Sequence, residues 1–564
     1  MSDSLGTFCL VLHGHLPYVM HHGSSPHGTA WLYEAIAETY LPLLDLIGEI
    51  AINGVKPAIT LGMTPVLLEQ LASEDLKSGF VRYAQLRIEQ AEKDQREFSR
   101  RGDKTLADLA VFWMDFYRRR LEHFERIGRD IPREFAARRA EGHIQILTGA
   151  ATHAYLPLLL NDGSIRAQLA AGSAVTRKFF GETPTGIWLP ECGYRPTAEA
   201  WRPPVLDLPH RPRPGIETFL PPLGLNHTFL DSHLIVGGKP LGIVVEGRFF
   251  SAEGGQTNRD RNAGWRDVLE PVGIRSEQGW AEVFALARHP SVAQQVWSSK
   301  VGYPGDGNYL DFHKKHLPGG LRYWRVTDVA ADLASKAPYS PSATQGTVYA
   351  HAQHFCSLVK QALSDHRQRT GRRGVCVAAF DAELFGHWWF EGIRFLRDVL
   401  LTMAHDDSLQ HSTAEEALRA FPPDKIMRPA EGSWGRHGDH TVWFNDANKW
   451  MWEVEYRAEQ KFFQRLGKLP WQSNKGVADA MKWGARELLL LQSSDWPFLV
   501  EGGAALDYSN LRFSGHAVRF ERAVDMARDL AEGNAPTPRQ VTQLAEMKAH
   551  DNVFEEIDLN WWAG

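Results

Sequence analysis

Cysteine is scarce in this chain: Cys9, Cys192, Cys356 and Cys376 are the only four among 564 residues, and no two form a C-x-x-C pair. A disulfide scaffold is thereby excluded, and a reduced, cytoplasmic protein is expected. Long apolar runs are missing as well, so no bilayer-spanning helix is expected. The opening Met1-Ser-Asp-Ser-Leu-Gly6 lacks the basic start of an export signal. Positive charge is nowhere concentrated. Lys and Arg number 62 against 68 Asp and Glu, for a net charge of −6, and no basic cluster is interleaved with aromatics. A polyanion-binding surface is excluded on that ground, and neither a nucleic acid nor a membrane is expected as partner. Internal repeats and low-complexity tracts are absent too.

The remaining composition, 43% hydrophobic and 23% charged, is that of a soluble globular protein. At 564 residues it exceeds what one core serves, so two or three domains are expected. Tryptophan is abundant at 19, with 24 histidines. Indole faces stack on the apolar faces of pyranose rings, but Trp is equally a core filler, and position decides between the two.

Several apolar runs have the length and Val/Ile/Phe content of buried strands: Thr7–Leu12, Lys56–Leu61, His143–Leu147, Gly186–Leu189, Asn226–Leu230 and Val375–Phe380. Helical patterns lie between them at Leu32–Ile50 and Tyr349–Thr370. From about Thr64 to Arg139, dense Glu, Lys and Arg with apolar residues at helical spacing predict a helical insertion. Residues 202–223 are Pro-rich, and 237–279 read as long mobile loops. From Pro422 onward strands are expected to vanish, with helices at Ala447–Leu466, Val477–Gln492 and Ser514–Glu532. Strands separated by helices, with polar residues at their C-terminal ends, imply an α/β barrel.

Two runs end abruptly in a carboxylate: Gly186-Ile-Trp-Leu-Pro-Glu191 and Val375-Cys-Val-Ala-Ala-Phe-Asp381. In such a barrel the residue just past a strand faces the active site. Pro190 fixes the backbone before Glu191, which suits a nucleophile. The apolar run before Asp381 suits an acid of raised pKa. Either alone reads equally as a cap or an ion-pair partner. As a pair ringed by Trp188, Phe380, Trp388 and Trp389, they are the parts of glycoside chemistry, in which retaining carboxyls stand roughly 5–5.5 Å apart. Glu383 is the rival within its own motif, with holding a nearby Arg or His as its other role. His13 and His15 alternate on one strand, which fits neutral hydrogen-bonding imidazoles or, with His153 and Asp231, a zinc hydrolase site. His387 admits the same two readings. Tyr303-Pro-Gly-Asp306 is a turn signature. Trp434 sits on a Gly-flanked loop where packing explains it poorly, whereas Trp443 and Trp297 read as core. Asp495 closes a helix, either reaching to the barrel mouth or capping the next segment.

Together, His13-Gly-His-Leu-Pro-Tyr-Val19, Ala151–Leu158, Trp188–Pro196, Phe380–Trp389 and Leu491–Phe498 resemble, in order, the branching enzymes of glycoside hydrolase family 57. The resemblance implies α/β architecture: a (β/α)7 barrel over 1–63 and 141–421, a helical insertion at 64–140 and a C-terminal all-helical domain at 422–564. It implies Glu191 as nucleophile, Asp381 as acid/base, and substrate contacts at Arg288, Gly305, Trp434 and Asp495. Beside these, His13, His15 and His153 are read as binding sugar hydroxyls. No cofactor or metal is implied. The expected activity converts α-1,4-glucan, such as amylose, to α-1,6 branches in glycogen synthesis. The rival activities are α-amylase or 4-α-glucanotransferase on the same scaffold, and a non-catalytic glucan-binding protein stands outside that class. One departure bears on the ratio of transfer to hydrolysis. Branching members cover the site with a tyrosine-bearing loop, yet no tyrosine occurs between Tyr194 and Tyr303, where Phe249, Phe250, Trp265 and Trp280 stand instead.

Overall fold

The computed structural model describes residues 4–24, 26–246, 248–251, 266–275, 283–298, 301–330 and 332–563. Seven strands form its centre: β1 (Gly6–Gly14), β2 (Ile59–Met63), β3 (Ile144–Leu147), β4 (Gly186–Ile187), β5 (His227–Asp231), β6 (Val283–Arg288) and β7 (Gly374–Asp381). Each pairs in parallel with the next, β3 reaching β4 through a Thr148–Ile187 bridge. Strand β7 then returns to β1, with Gly6 opposite Gly374 and His13 opposite Asp381. The ring is closed, and the fold is a (β/α)7 barrel.

Alternation along these strands decides what reaches the barrel mouth. Cys9, Val11, Leu147, Phe229, Leu286, Val375, Val377 and Ala379 pack together as one buried cluster inside the ring. Phe8, Leu10, Leu12, Ala378 and Phe380 pack outward into the larger core with the helices. Each such Val, Leu or Phe stabilises the fold by about 1.5–3 kcal/mol through burial. Because side chains alternate with period two, the inward parity that fills the barrel also aims His13, Asp231, Arg288 and Asp381 inward at the strands' C-terminal ends.

Between β2 and β3 the chain is helical, led by a long hairpin of Glu74–Arg100 and Lys104–Arg126. Ser73 and Asp103 cap these helices by accepting from the Leu76 and Leu106 amides. After residue 430 the chain is again helical, with Lys449–Lys468, Lys475–Leu491, Asp495–Gly502 and Leu506–Ala531 as its main elements.

Three expectations are corrected. Residues 237–279 are not one patternless loop: Lys239–Val245 and Arg248–Ser251 form a hairpin, and Val272–Ile274 joins the sheet. Their Val and Ile content supports pairing despite the glycines. Strands do not vanish at Pro422, because Lys425–Arg428 pairs with Val272–Ile274 and with Lys239–Val245. Trp297 is 45% exposed at the end of a short helix and is not core, whereas Trp443 is buried as expected. Trp265 and Trp280 lie outside the described residues.

Candidate active site

Glu191 leaves β4 through Pro190 into a left-handed backbone conformation, with φ of 60°, and Cys192 follows at 49°. His153 shares this conformation at 58°. For residues bearing a Cβ such geometry is costly, and its clustering here marks a site over-determined by its surroundings. The turn aims the Glu191 carboxylate at two donors. Trp434 Nε1 donates to Oε2 at 2.8 Å, and Ser494 Oγ donates to Oε1 at 3.1 Å. Burial nevertheless outweighs these bonds and pushes the Glu191 pKa up to about 7, with the negative charge of Asp495 adding to it.

Behind Ser494 stand two imidazoles. His153 Nδ1 lies 2.9 Å from Ser494 Oγ, and His153 Nε2 lies 3.0 Å from His13 Nε2. Since Ser494 donates to Glu191, it accepts from His153 Nδ1–H. His153 Nε2 is then bare and accepts from His13 Nε2–H. One directed chain therefore runs His13→His153→Ser494→Glu191. It requires a neutral His153, and burial holds the pKa values of both rings well below the ordinary value. His13 is 2% exposed and stacks on Trp188 at 5.0 Å, with its Nδ1 unpartnered.

His15 differs from the other two imidazoles in facing carboxylates. Its Nε2 meets Asp495 Oδ2 at 2.9 Å and its Nδ1 meets Thr64 Oγ1 at 3.0 Å. Burial pulls its pKa down, but Asp495, Glu191 and Glu383 together raise it overall. Asp495 opens the Asp495–Gly502 helix and does not close the previous one. Its carboxylate is taken by His15 and Ser493 rather than by a cap.

Asp381, the last residue of β7, is different: among the described residues no hydrogen bond holds its carboxylate. Burial, followed by the charges of Glu383 and Glu191, raises its pKa well above the ordinary value. Among the described residues, Glu383 is hydrogen-bonded by neither an Arg nor a His side chain. It accepts from the His15 amide at 3.0 Å and from Tyr40 Oη. Tyr40 ends a π-helical turn, Ile36–Tyr40, whose Thr39 also bonds the Phe385 carbonyl. That wider turn delivers successive side chains to the motif loop.

Arg288 ends β6, ion-paired with Asp231 of β5 and lying over the Trp434 ring at 5.2 Å. Asp231 is held at about 2, burial being overcome by His233 and Arg288. Gly305 stands apart. Its turn is anchored by Tyr303, which bonds His354 and stacks on His351, and no described hydrogen bond or ring contact joins it to the carboxylates. His387 is buried beside Glu34 and Glu38, and Trp388 is 52% exposed against Phe312.

His15, His153 and Asp495 bring ligand-type atoms within 4.8 Å of one another. Yet both nitrogens of each ring already have protein partners, so the hydrogen-bond network accounts for the cluster. Sequence reasoning did not single out Ser494 or Tyr40. The Ser493-Ser494-Asp495 motif carried a signal, but its acid drew the attention.

A family model described as glycosyl hydrolase family 57 matches residues 9–429. A second, described as 1,4-alpha-glucan branching enzyme, C-terminal, matches residues 455–562. The chain is 36% identical over 560 residues to a 1,4-alpha-glucan branching enzyme of Thermococcus kodakarensis, covering 98% of this chain and 78% of that one. It is 31% identical over 581 residues to a probable 1,4-alpha-glucan branching enzyme of Mycobacterium tuberculosis, covering 98% and 97%. Among solved structures it resembles a GH57-type branching enzyme of Pyrococcus horikoshii, with TM-score 0.88, 34% identity, and 99% and 97% coverage. It also resembles the alpha-amylase AmyC of Thermotoga maritima, with TM-score 0.80, 27% identity, and 100% and 99% coverage.

Proposed function

We infer the activity from one premise: the chain belongs to glycosyl hydrolase family 57. It is a 1,4-α-glucan branching enzyme, acting by retaining double displacement. The observation that carries this reading is the contact between the C-terminal helical region and the barrel nucleophile, Ser494 on Glu191, in a chain whose C-terminal part matches the branching-enzyme model.

In the reaction proposed, ionised Glu191 attacks C1 of an α-1,4-linked glucose while protonated Asp381 donates to the departing oxygen. The resulting glucosyl-enzyme is opened by a C6 hydroxyl, whose proton returns to Asp381. Trp434 and Ser494 hold the Glu191 oxygens. Arg288, Trp434 and Gly305 are assigned to the glucan, Gly305 to units remote from the carboxylates; Asp495 with its partner His15 is assigned to the same mouth, and His13 and His153, bonded to each other and to Ser494, to positioning Glu191. We assign the barrel to 1–63 and 141–421 with Lys425–Arg428 counted in, the insertion to 64–140, and the rest to the C-terminal helical domain. No described helix is long and apolar enough to cross a membrane, and all four cysteines are buried and unpaired, which supports a reducing cytoplasmic setting. Neither nucleic acid nor membrane is proposed as a partner.

The test is incubation with amylose, counting new α-1,6 linkages by proton NMR and new reducing ends in the same sample. Branches far outnumbering reducing ends are expected. Reducing ends without branches would make the chain an α-amylase, a reading favoured by the tyrosine-free stretch from 195 to 302. Water then competes with the acceptor.

Burial pushes the Glu191 pKa up to about 7, so kcat/KM is expected to rise with pH through about 7, and the ionisation of Asp381, whose pKa burial also raises, is expected to set the falling limb. Ser494→Ala removes a bond to the ionised nucleophile. It should shift the rising limb to higher pH and cost roughly tenfold or more in kcat/KM. Ser494→Thr should restore both, and an unmoved limb would deny the hydroxyl this role. Prolonged dialysis against a chelator is expected to leave the rate unchanged; progressive loss of activity restored by zinc would revive the zinc reading.

A further inference from the structure

On the outer wall of the barrel lies a cavity of about 270 Å³, between the Leu41–Ile52 and Gly392–Ala404 helices, the inserted Lys104–Arg126 helix and the Tyr339–Pro341 segment. Apart from Glu38, which lies in the π-helical turn beside His387, none of its lining residues belongs to the site just described. We propose that this cavity is an accessory saccharide site, which holds one or two glucose units of the same α-glucan chain away from the catalytic carboxylates. The proposal rests on the glucan-transferring activity.

Its lining has two parts. The floor is aromatic. Phe112, Phe116 and Phe390 meet edge to face or tilted, with Phe390 centred 6.0 Å from Phe112 and 5.5 Å from Phe116. Phe112 and Phe390 are only half-buried, so ring surface remains open to the cavity. The rim is ionic: Asp45 and Glu49 stand with Arg120, Arg394 and Arg397, while Glu38 lies buried beneath them, paired with Arg322. Carboxylates and guanidiniums arrayed over an aromatic floor suit a polyhydroxyl ring with one apolar face.

Several rim groups are already oriented. Asp45 accepts from Arg120 at 2.6 Å and lies 3.0 Å from His123. Arg394 donates to Thr344 at 2.8 Å. Arg397 grips Asp398 at 2.8 Å and lies 3.8 Å from Glu49, which is half-exposed. Capacity is left over, because the Arg120 Nε is buried with no partner among the described residues. Phe390 and Glu391 continue the Asp381–Trp389 loop, and Tyr339 bonds Glu391 at 2.6 Å, so the cavity and the catalytic motif share a segment of chain. For a polymeric donor, a second attachment point raises the local concentration of chain at the active site without altering the chemistry there.

The test uses the full chain carrying Glu191→Gln, so that polysaccharide is bound and not consumed, and measures its retardation in native gels containing amylose. Two variants are added separately. Phe112→Ala removes floor, and Glu49→Trp plugs the mouth from an exposed rim position that folding tolerates. Each is expected to weaken retardation about three- to tenfold, the worth of an aromatic contact. In chains with Glu191 restored, both should leave the turnover of maltoheptaose unchanged, since that short donor occupies the carboxylate site alone. Retardation equal to the parent's in Glu49→Trp would overturn the accessory site while leaving the branching activity intact. If the unsubstituted chain does not alter amylose at all, the activity itself falls, and the accessory glucan site falls with it.

Discussion

Glu191→Gln is expected to reduce turnover of amylose on the order of 10⁴-fold or more, because an amide cannot form the glucosyl-enzyme. Glucan binding should survive. Glutamine matches glutamate in shape, its carbonyl can accept from Trp434 Nε1, and its NH₂ can donate to Ser494 Oγ once that hydroxyl rotates. The His13–His153 pair behind Ser494 keeps its geometry, so the loss should fall on kcat with KM little changed. Steady-state kinetics with amylose, beside equilibrium binding of maltoheptaose, read the two effects apart. A variant with a near-normal rate would remove Glu191 from the mechanism altogether.

Asp381→Asn should be nearly as damaging with natural glucan, about 10²–10⁴-fold, the range of general acid–base catalysis. Its signature differs. A donor with an aryl leaving group needs little protonation, so the first step should recover and glucosyl-enzyme should accumulate as a burst, since no base remains to activate the acceptor. The same variant carries a stability prediction. Burial and two neighbouring carboxylates raise the Asp381 pKa in the folded state above its ordinary 3.8. The unfolded chain therefore gives up this proton first as pH rises, and the folded state bears a cost that begins above about pH 3.8 and grows until its own raised pKa is passed. Asn carries no such cost. The variant should melt at a higher temperature than the parent at pH 8, with the gain shrinking as pH falls toward 4. A lower melting temperature at pH 8 would mean that the charge is accommodated without penalty.

Much of this was legible in the chain because strand-end carboxylates leave a local trace. A short apolar run broken by Glu191 or Asp381 is visible without any knowledge of partners, and period-two alternation already implies that His13 shares an inward parity with the residues filling the barrel. Strand β6 escaped that reading. Val283-Phe-Ala-Leu-Ala-Arg288 has two alanines and a single β-branched residue, so Arg288 was reached through family resemblance, not through pattern. The hairpin within 237–279 escaped as well, since its glycines weaken the local pattern and its outer edge is paired by Lys425–Arg428, distant in sequence.

The sequence by itself determined the composition of the core, the helical character of the insertion and the C-terminal region, and the two carboxylates. Each depends on local periodicity or on residue type. Tertiary structure alone decided which charges these carboxylates carry and who holds them. Thr152 bonds the Leu489 carbonyl, Ala154 bridges Ser493, and the Ser494 amide reaches the His153 carbonyl, so a C-terminal helix junction is fastened to the loop after β3. Those bonds bring Ser494 to Glu191 across 303 positions of sequence and set Asp495 against His15. Burial raises the carboxylate pKa values, and partners distant along the chain order them. Desolvation and charge proximity depend on distance in space, which local residue patterns do not record.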